Sequence, residues 1–306
     1  MKHFPRHFIF VLFFLYLPLA GYGAETYIVT SPPRESLEDG KKQYVPIAEL
    51  LTKATGQTFT YKHPGDWLSY TKNMKNNYYD VVLDGPHFIS WRMEILEHTP
   101  VVRFSGSLKF MVLVSKDDKV ETLNDLGGHT ICGLAPPNMA TLSIQNEFDN
   151  PMRQPMILEV TDFKSGFKGM LDGKCHGAIL PAGVYKRMNK DGKVDAKAKI
   201  IFRSTPIPQQ GFSISERISP ELRNQISDAL MSEDGHAATA VVRKRFGGNK
   251  DLMLTNLEEY HGYFRFLRDF WGFDIPGSEL EPEPEQDPEP EVVETVSVKP
   301  DEKPAN

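Results

Sequence analysis

Cys132, Cys175 and the adjacent His176 are the side chains in this 306-residue chain best suited to covalent or metal chemistry, with His87 as a further nitrogen ligand. An even pair of cysteines reads in two ways: a disulfide in an oxidising compartment, or two buried thiols. Cys132 follows a β-rich run, where a nucleophile could sit, but a nucleophile needs a base beside it. The sequence has no GxSxG elbow, no HExxH and no phosphate-binding P-loop. A metal-carrying or redox reading would use His87, Cys175 and His176. It meets a geometric objection, because neighbours on a strand point to opposite faces and one ion could hardly take both Cys175 and His176. No CxxC pair or His/Cys cluster has zinc spacing. These residues favour a protein that binds rather than one that catalyses, with no cofactor. A periplasmic metal- or cofactor-binding accessory protein is the alternative.

The elements that must position these residues alternate between strand-like and helix-like segments. Thr26 to Thr30 is β-rich, and residues 44–54 carry apolar side chains at helical spacing (Tyr44, Ile47, Ala48, Leu51, Ala54) closed by Gly56. Thr58 to Tyr61, a helix over 66–76 and a strand over 81–83 ending at Asp84-Gly85-Pro86 complete a βαβα unit. The pattern restarts with strands over 109–114, 130–134, 156–160 and 178–180 and helices over 141–148, 163–171 and 182–189. Three more helices, 220–231, 235–245 and 257–270, need a sheet to cover, and the economical arrangement returns the chain to the first unit after Gly211. The expected fold is α/β with two lobes. Each lobe is a mostly parallel sheet flanked by helices, and two hinge crossings near residues 104–107 and 205–211 join them.

The chain ends differ from this body. Lys2 and Arg6 precede an uncharged apolar run from Phe8 to Ala20, and small residues at Gly21 and Gly23 suit a cut after Gly23. That reads as a secretory signal peptide, too short to span a bilayer. At the other end, ten acids from Glu279 onward stand against Lys299 and Lys303, a net −8 among prolines that block helix and sheet. The boundaries read as 1–23 signal peptide, 24–105 plus 210–275 lobe one, 106–209 lobe two, and 276–306 a disordered acidic Pro/Glu-rich tail. The whole chain carries −6, but without its two ends it is neutral, so nucleic acid is not an expected partner.

Six segments then carry a resemblance: Tyr44-Val45-Pro46-Ile47 before a helix ending at Gly56; Asp66-Trp67 before the next; Tyr79-Asp80-Val81-Val82 leading to Gly85-Pro86; Leu123 to Gly128; Gly173-Lys174; and Ser204-Thr205-Pro206-Ile207-Pro208. In order and spacing they resemble the periplasmic solute-binding proteins of phosphonate, phosphate and phosphite ABC importers, over roughly residues 26–272. The resemblance implies a type II periplasmic-binding-protein fold that closes on a small anionic ligand, as a monomer, to feed an ABC permease or a membrane sensor.

By position, the family's aromatic before the second helix is Trp67, and its Gly-Pro loop is Gly85-Pro86 followed by His87. Its hydroxyl-rich Ser-Thr-Ser-Gly loop becomes Asn138-Met139-Ala140-Thr141, its histidine falls near Asp162 or Phe163, and its acidic residue falls on His176. The candidate ligand-binding set is therefore Trp67, Asp84, His87, Asn138, Thr141, Asp162 and His176. Each also has an ordinary structural role open to it: a core tryptophan, a turn or helix cap, a surface histidine.

Overall fold

A computed structural model of the chain describes residues 25–273; the signal peptide and acidic tail expected from the sequence lie outside the described residues. The first half runs β1 (Thr26–Thr30), α1 (Leu37–Thr55), β2 (Thr58–Tyr61), α2 (Trp67–Lys75), β3 (Val81–Asp84), α3 (Pro86–Leu96) and β4 (Thr99–Phe104). A short β5 (Ser107–Leu108) leads into the second half: β6 (Phe110–Ser115), β7 (Thr130–Gly133), α4 (Met139–Gln145), β8 (Met156–Glu159), α5 (Phe163–Leu171), β9 (Gly177–Pro181), α6 (Ala182–Met188) and β10 (Ala198–Arg203). The chain returns through β11 (Ile207–Pro208) to β12 (Gly211–Ile214), α7 (Pro220–Met231), α8 (Glu233–Ala238), α9 (Ala240–Val242), β13 (Leu252–Leu254) and α10 (Arg265–Trp271).

These strands form two sheets, in the orders β13-β4-β12-β3-β1-β2 and β10-β6-β9-β7-β8. The βαβ units supply parallel pairs along one edge of each sheet (β1 with β2 and β3; β7 with β8 and β9), and antiparallel strands complete the rest. The fold is thus the expected two-lobed α/β arrangement, but its sheets are mixed rather than mostly parallel, because the strands around the two crossings pair antiparallel. The chain passes between the sheets twice, and β5 and β11 pair antiparallel where it does so. Every helix that follows a parallel strand starts at that strand's carboxyl end. The N-termini of α1, α2 and α3, and those of α4, α5 and α6, therefore gather at one end of each sheet, where open α/β sheets place ligands.

Helix bounds differ from the sequence expectation for local reasons. α1 begins seven residues before Tyr44, because Ser36 accepts the Asp39 N–H and Glu38 and Asp39 favour the first turn, so the helix precedes its apolar stripe. The helix expected over 235–245 breaks at Thr239 and ends in a π turn over Arg243–Gly247. The one expected over 257–270 is divided at Gly262, whose φ of +83° suits glycine. α3 has no amphipathic period to detect, since all its residues from Pro86 to Arg92 are buried.

Cys132 on β7 and Cys175 before β9 are joined, with sulfurs 2.02 Å apart, inside the second sheet's core. α5 lies close over this link. A Cβ on Gly169 would sit 3.2 Å from the Cys132 sulfur, so glycine there permits the approach. The segment 260–273 spans both halves: Tyr263 and Phe266 pack on the core of the second sheet, and Leu267 and Phe273 join the Tyr70–Trp91 cluster of the first.

Candidate functional site

The loops after β1, β3 and β7 and the first residues of α2 and α3 meet between the two sheets. At the start of α2, Trp67 is half-buried, its ring stacked on Phe88 at 6.1 Å and edge-on to Tyr70 at 5.9 Å. Next to Phe88, the buried His87 reaches across to the other half, where its Nε2–H donates to the Pro137 carbonyl at 2.9 Å. That bond fixes Nδ1 as the unprotonated nitrogen, and it is buried without a partner. Burial holds His87 at a pKa of about 3 and so keeps it neutral. Gly85 makes room for the ring, since a Cβ there would lie 2.9 Å from its Cε1. Asn138 caps α4 by accepting the Ala140 N–H at 3.0 Å, which leaves its side-chain N–H groups free to donate. Trp67, His87 and Asn138 thus lie along one continuous seam between the halves.

The other four expected residues do not join them. Asp84 has no exposure: it accepts from the Tyr70 hydroxyl at 2.6 Å, from the Gly85 N–H at 2.9 Å and from Arg92 at 3.2 Å. Burial pushes its carboxyl above the usual carboxylate range, against the pull of Arg92 and Arg34. It is an internal anchor closed to ligand. Thr141 is also fully buried, and its hydroxyl donates to the Leu134 carbonyl at 2.6 Å, so its donor is spent on shaping the loop. Asp162 is an exposed cap on α5, accepting from the N–H groups of Lys164 and Ser165, and its negative charge would repel an anion at that helix end. His176 lies at the amino end of β9, its ring tilted against that of His129 with centroids 4.1 Å apart, at the opposite end of the sheet from the helix starts. Reading position by position along a sequence cannot tell the two ends of a strand apart when the turn before it is short, which explains this miss.

The sequence reading also passed over a set of cations. A cavity of about 580 Å3 opens between Arg187 on α6 and Val241, Lys244, Arg245, Gly248 and Asn249 around the π turn. Its walls come from both halves, and no carboxylate lines it. Arg187 and Lys244 are exposed and form no ion pair among the described residues, so their charges are uncompensated. Arg245 pairs with Glu35 at 3.3 Å and donates to the Arg34 carbonyl, which ties the cavity to the carboxyl end of β1. Arg34 itself lies over Phe246 at 4.7 Å and donates to Gln210 beside the return crossing at 3.0 Å. The Arg243-Lys244-Arg245 run was visible in the sequence; its meeting with Arg187, distant in the chain, was not. A second cavity of about 350 Å3, lined by Asn146, Tyr263, Arg265 and Asp269 among others, sits at the carboxyl end of α4, where the helix dipole disfavours an anion.

A family model described as "ABC transporter, phosphonate, periplasmic substrate-binding protein" matches residues 29–251, most of the chain. The chain belongs to this family. Known structures agree on the fold of this phosphonate-family binding protein. A Xanthomonas citri protein solved with ATP aligns at a TM-score of 0.64 and 11% identity, over 80% of this chain and 98% of the other. PhnD1 of Prochlorococcus marinus in complex with methylphosphonate aligns at 0.59 and 10%, over 80% and 97%. A binding protein component of a Pseudomonas aeruginosa ABC phosphonate transporter aligns at 0.53 and 12%, over 77% and 83%. No curated protein matches this family member in sequence.

Proposed function

We propose that this binding protein takes up a small anion between its two halves in the periplasm and delivers it to an ABC permease, without turning it over. The observation that carries this reading is the acid-free cavity in which Arg187 of one half faces Lys244 and Arg245 of the other. Arg245 is paired with Glu35, but Arg187 and Lys244 have no ion-pair partner among the described residues; they repel one another, and an anion between them relieves that repulsion. The cations sit on different halves, so the anion gains most when the halves draw together. A ligand shifts a two-state equilibrium in this way only through differential contacts.

Trp67, His87 and Asn138 lie on a separate seam between the halves, outside the lining of this cavity. In the reading proposed here, they contribute only as the halves close on the anion, Trp67 as a wall and the free Asn138 N–H groups as donors. Asn138-Met139-Ala140-Thr141 offers fewer hydroxyl donors than the loop of the phosphonate binders it resembles, and Thr141 spends its own on Leu134. Arginine and lysine thus supply donors that hydroxyls supply in the family's pattern. Relatives by fold bind methylphosphonate and ATP, so ligands from a small phosphonate to a larger phosphate ester are reasonable probes.

The metal-carrier alternative has lost a ligand, because Cys175 is tied to Cys132. Among the described residues no three His, Cys, Asp or Glu side chains converge in a metal-sized group. A thermal-shift panel decides the matter: methylphosphonate, phosphite, inorganic phosphate and ATP, with L-arginine as a cationic control. At least one anion should raise the melting temperature in a saturable way while L-arginine does not. No shift with any of the anions would count against the proposal.

A further inference from the structure

The chain carries a polyanion of its own. The described fold ends at Phe273, which is seated on Phe88 and Trp91, and the acidic stretch begins at Glu279, six residues on. From Glu281 to Glu291 the sequence alternates acids with Pro282, Pro284, Pro288 and Pro290, six carboxylates with no basic residue among them. Prolines at this spacing favour an extended chain of roughly 3.1 Å per residue, so this stretch reaches tens of ångströms from its root, the scale of one lobe. The remainder of the mature chain is neutral, and on its surface the Arg187–Lys244–Arg245 cavity concentrates positive charge with no acid in its lining.

We propose that the Glu281–Glu291 segment docks intramolecularly at this cavity and competes there with the solute. The inference rests on reading the cavity as the anion site. Tethering gives the segment a high effective concentration, so individually weak carboxylate contacts suffice to hold it. Carboxylates extended past a single rim exchange readily, and a compact anion that engages both halves at once displaces them. The segment therefore acts as an internal competitor that lowers the apparent affinity for weak or abundant anions. Because it brings many charges, its hold weakens more steeply with salt than that of a small anion.

Zero-length carbodiimide coupling of the full chain, with peptide mapping by mass spectrometry, tests this without need of a solute. Lys244 should couple to Glu281, Glu283, Glu285 or Glu289 at several times the yield of exposed lysines such as Lys119 and Lys164. The coupling should be within one molecule, and should fall several-fold in 0.5 M salt and in Arg187→Gln, which leaves Lys244 in place. Equal coupling to all exposed lysines, coupling between molecules only, or a Lys244 yield unchanged by salt and by Arg187→Gln would overturn the inference. Tail variants carrying Gln at Glu281, Glu283, Glu285 and Glu289 give a second readout. Methylphosphonate or inorganic phosphate should bind them several-fold more tightly at low salt, and identical affinity would also overturn it. Failure of the function itself reads differently, as binding of neither anion to either form.

Discussion

At the scale of residues, Arg92 holds the carboxyl end of β3 together. Its guanidinium lies beside Asp84 and the Tyr70 hydroxyl with almost no exposure, so removing it leaves a buried carboxylate with one fewer partner. Arg92→Ala should cost roughly 3–5 kcal/mol in chemical denaturation, because the stranded charge, not the lost attraction, dominates. The double variant Arg92→Met, Asp84→Leu should recover most of that; a single-variant cost below about 1 kcal/mol would be inconsistent with the pair's burial. His87 makes a second, pH-dependent prediction. Folding lowers its pKa from 6.5 to about 3, so the unfolded chain takes up the proton first as pH falls. The stability contributed by the neutral ring is complete above pH 6.5 and is lost as pH drops from there toward 3, at up to about 1.4 kcal/mol per pH unit. Burial lowers His98 in the same direction, so His87→Gln should reduce, not abolish, this slope in denaturation curves taken across that range. The helix-start positions of Trp67, His87 and Asn138 were legible in the sequence. Asp84 and Thr141 were legible as positions but not as roles, since hydrogen-bond commitment depends on what packs above them.

Among the elements, the parallel β-strands, the helices between them and the apolar β6 were readable, and the antiparallel strands β4, β10, β12 and β13 were not. β1, β2, β7 and β8 are bounded by turns or glycines and lead into helices with recognisable caps, such as Asp66 and Asp162. β4 and β10 carry proline or charged residues and β13 is only three residues long, and their strand character comes from pairing with neighbours distant in sequence. The disulfide belongs to this scale, since it closes the β7–α4–β8–α5 excursion of the second sheet. With its ends 43 positions apart, loop entropy assigns it about 4 kcal/mol as an upper figure. Reduction, or Cys132→Ala with Cys175→Ala, should lower the denaturation midpoint accordingly, and peptide mapping of the oxidised protein should recover the linked pair. Free thiols in the purified native protein would contradict this arrangement.

For the whole molecule, two mixed sheets joined by a paired two-strand ribbon have the architecture of a hinge. The His87–Pro137 bond and the helix α10 span the gap on one side, and the basic cavity opens between the halves elsewhere. The proposed closure predicts that small-angle scattering will show a smaller radius of gyration with a saturating anion than without it. The central claim, that cations from the two halves grip one anion jointly, is tested most directly by titration calorimetry. The titrants are methylphosphonate, phosphite, inorganic phosphate and ATP, with the wild-type chain compared against Arg187→Gln, Lys244→Gln. A charge-assisted hydrogen bond is worth about 1.5–3 kcal/mol, which corresponds to roughly tenfold or more in affinity. The account predicts one-to-one binding of at least one of these anions, weakened at least tenfold in the double variant. Binding of equal strength in the two proteins, or no saturable heat with any of the four, would contradict it.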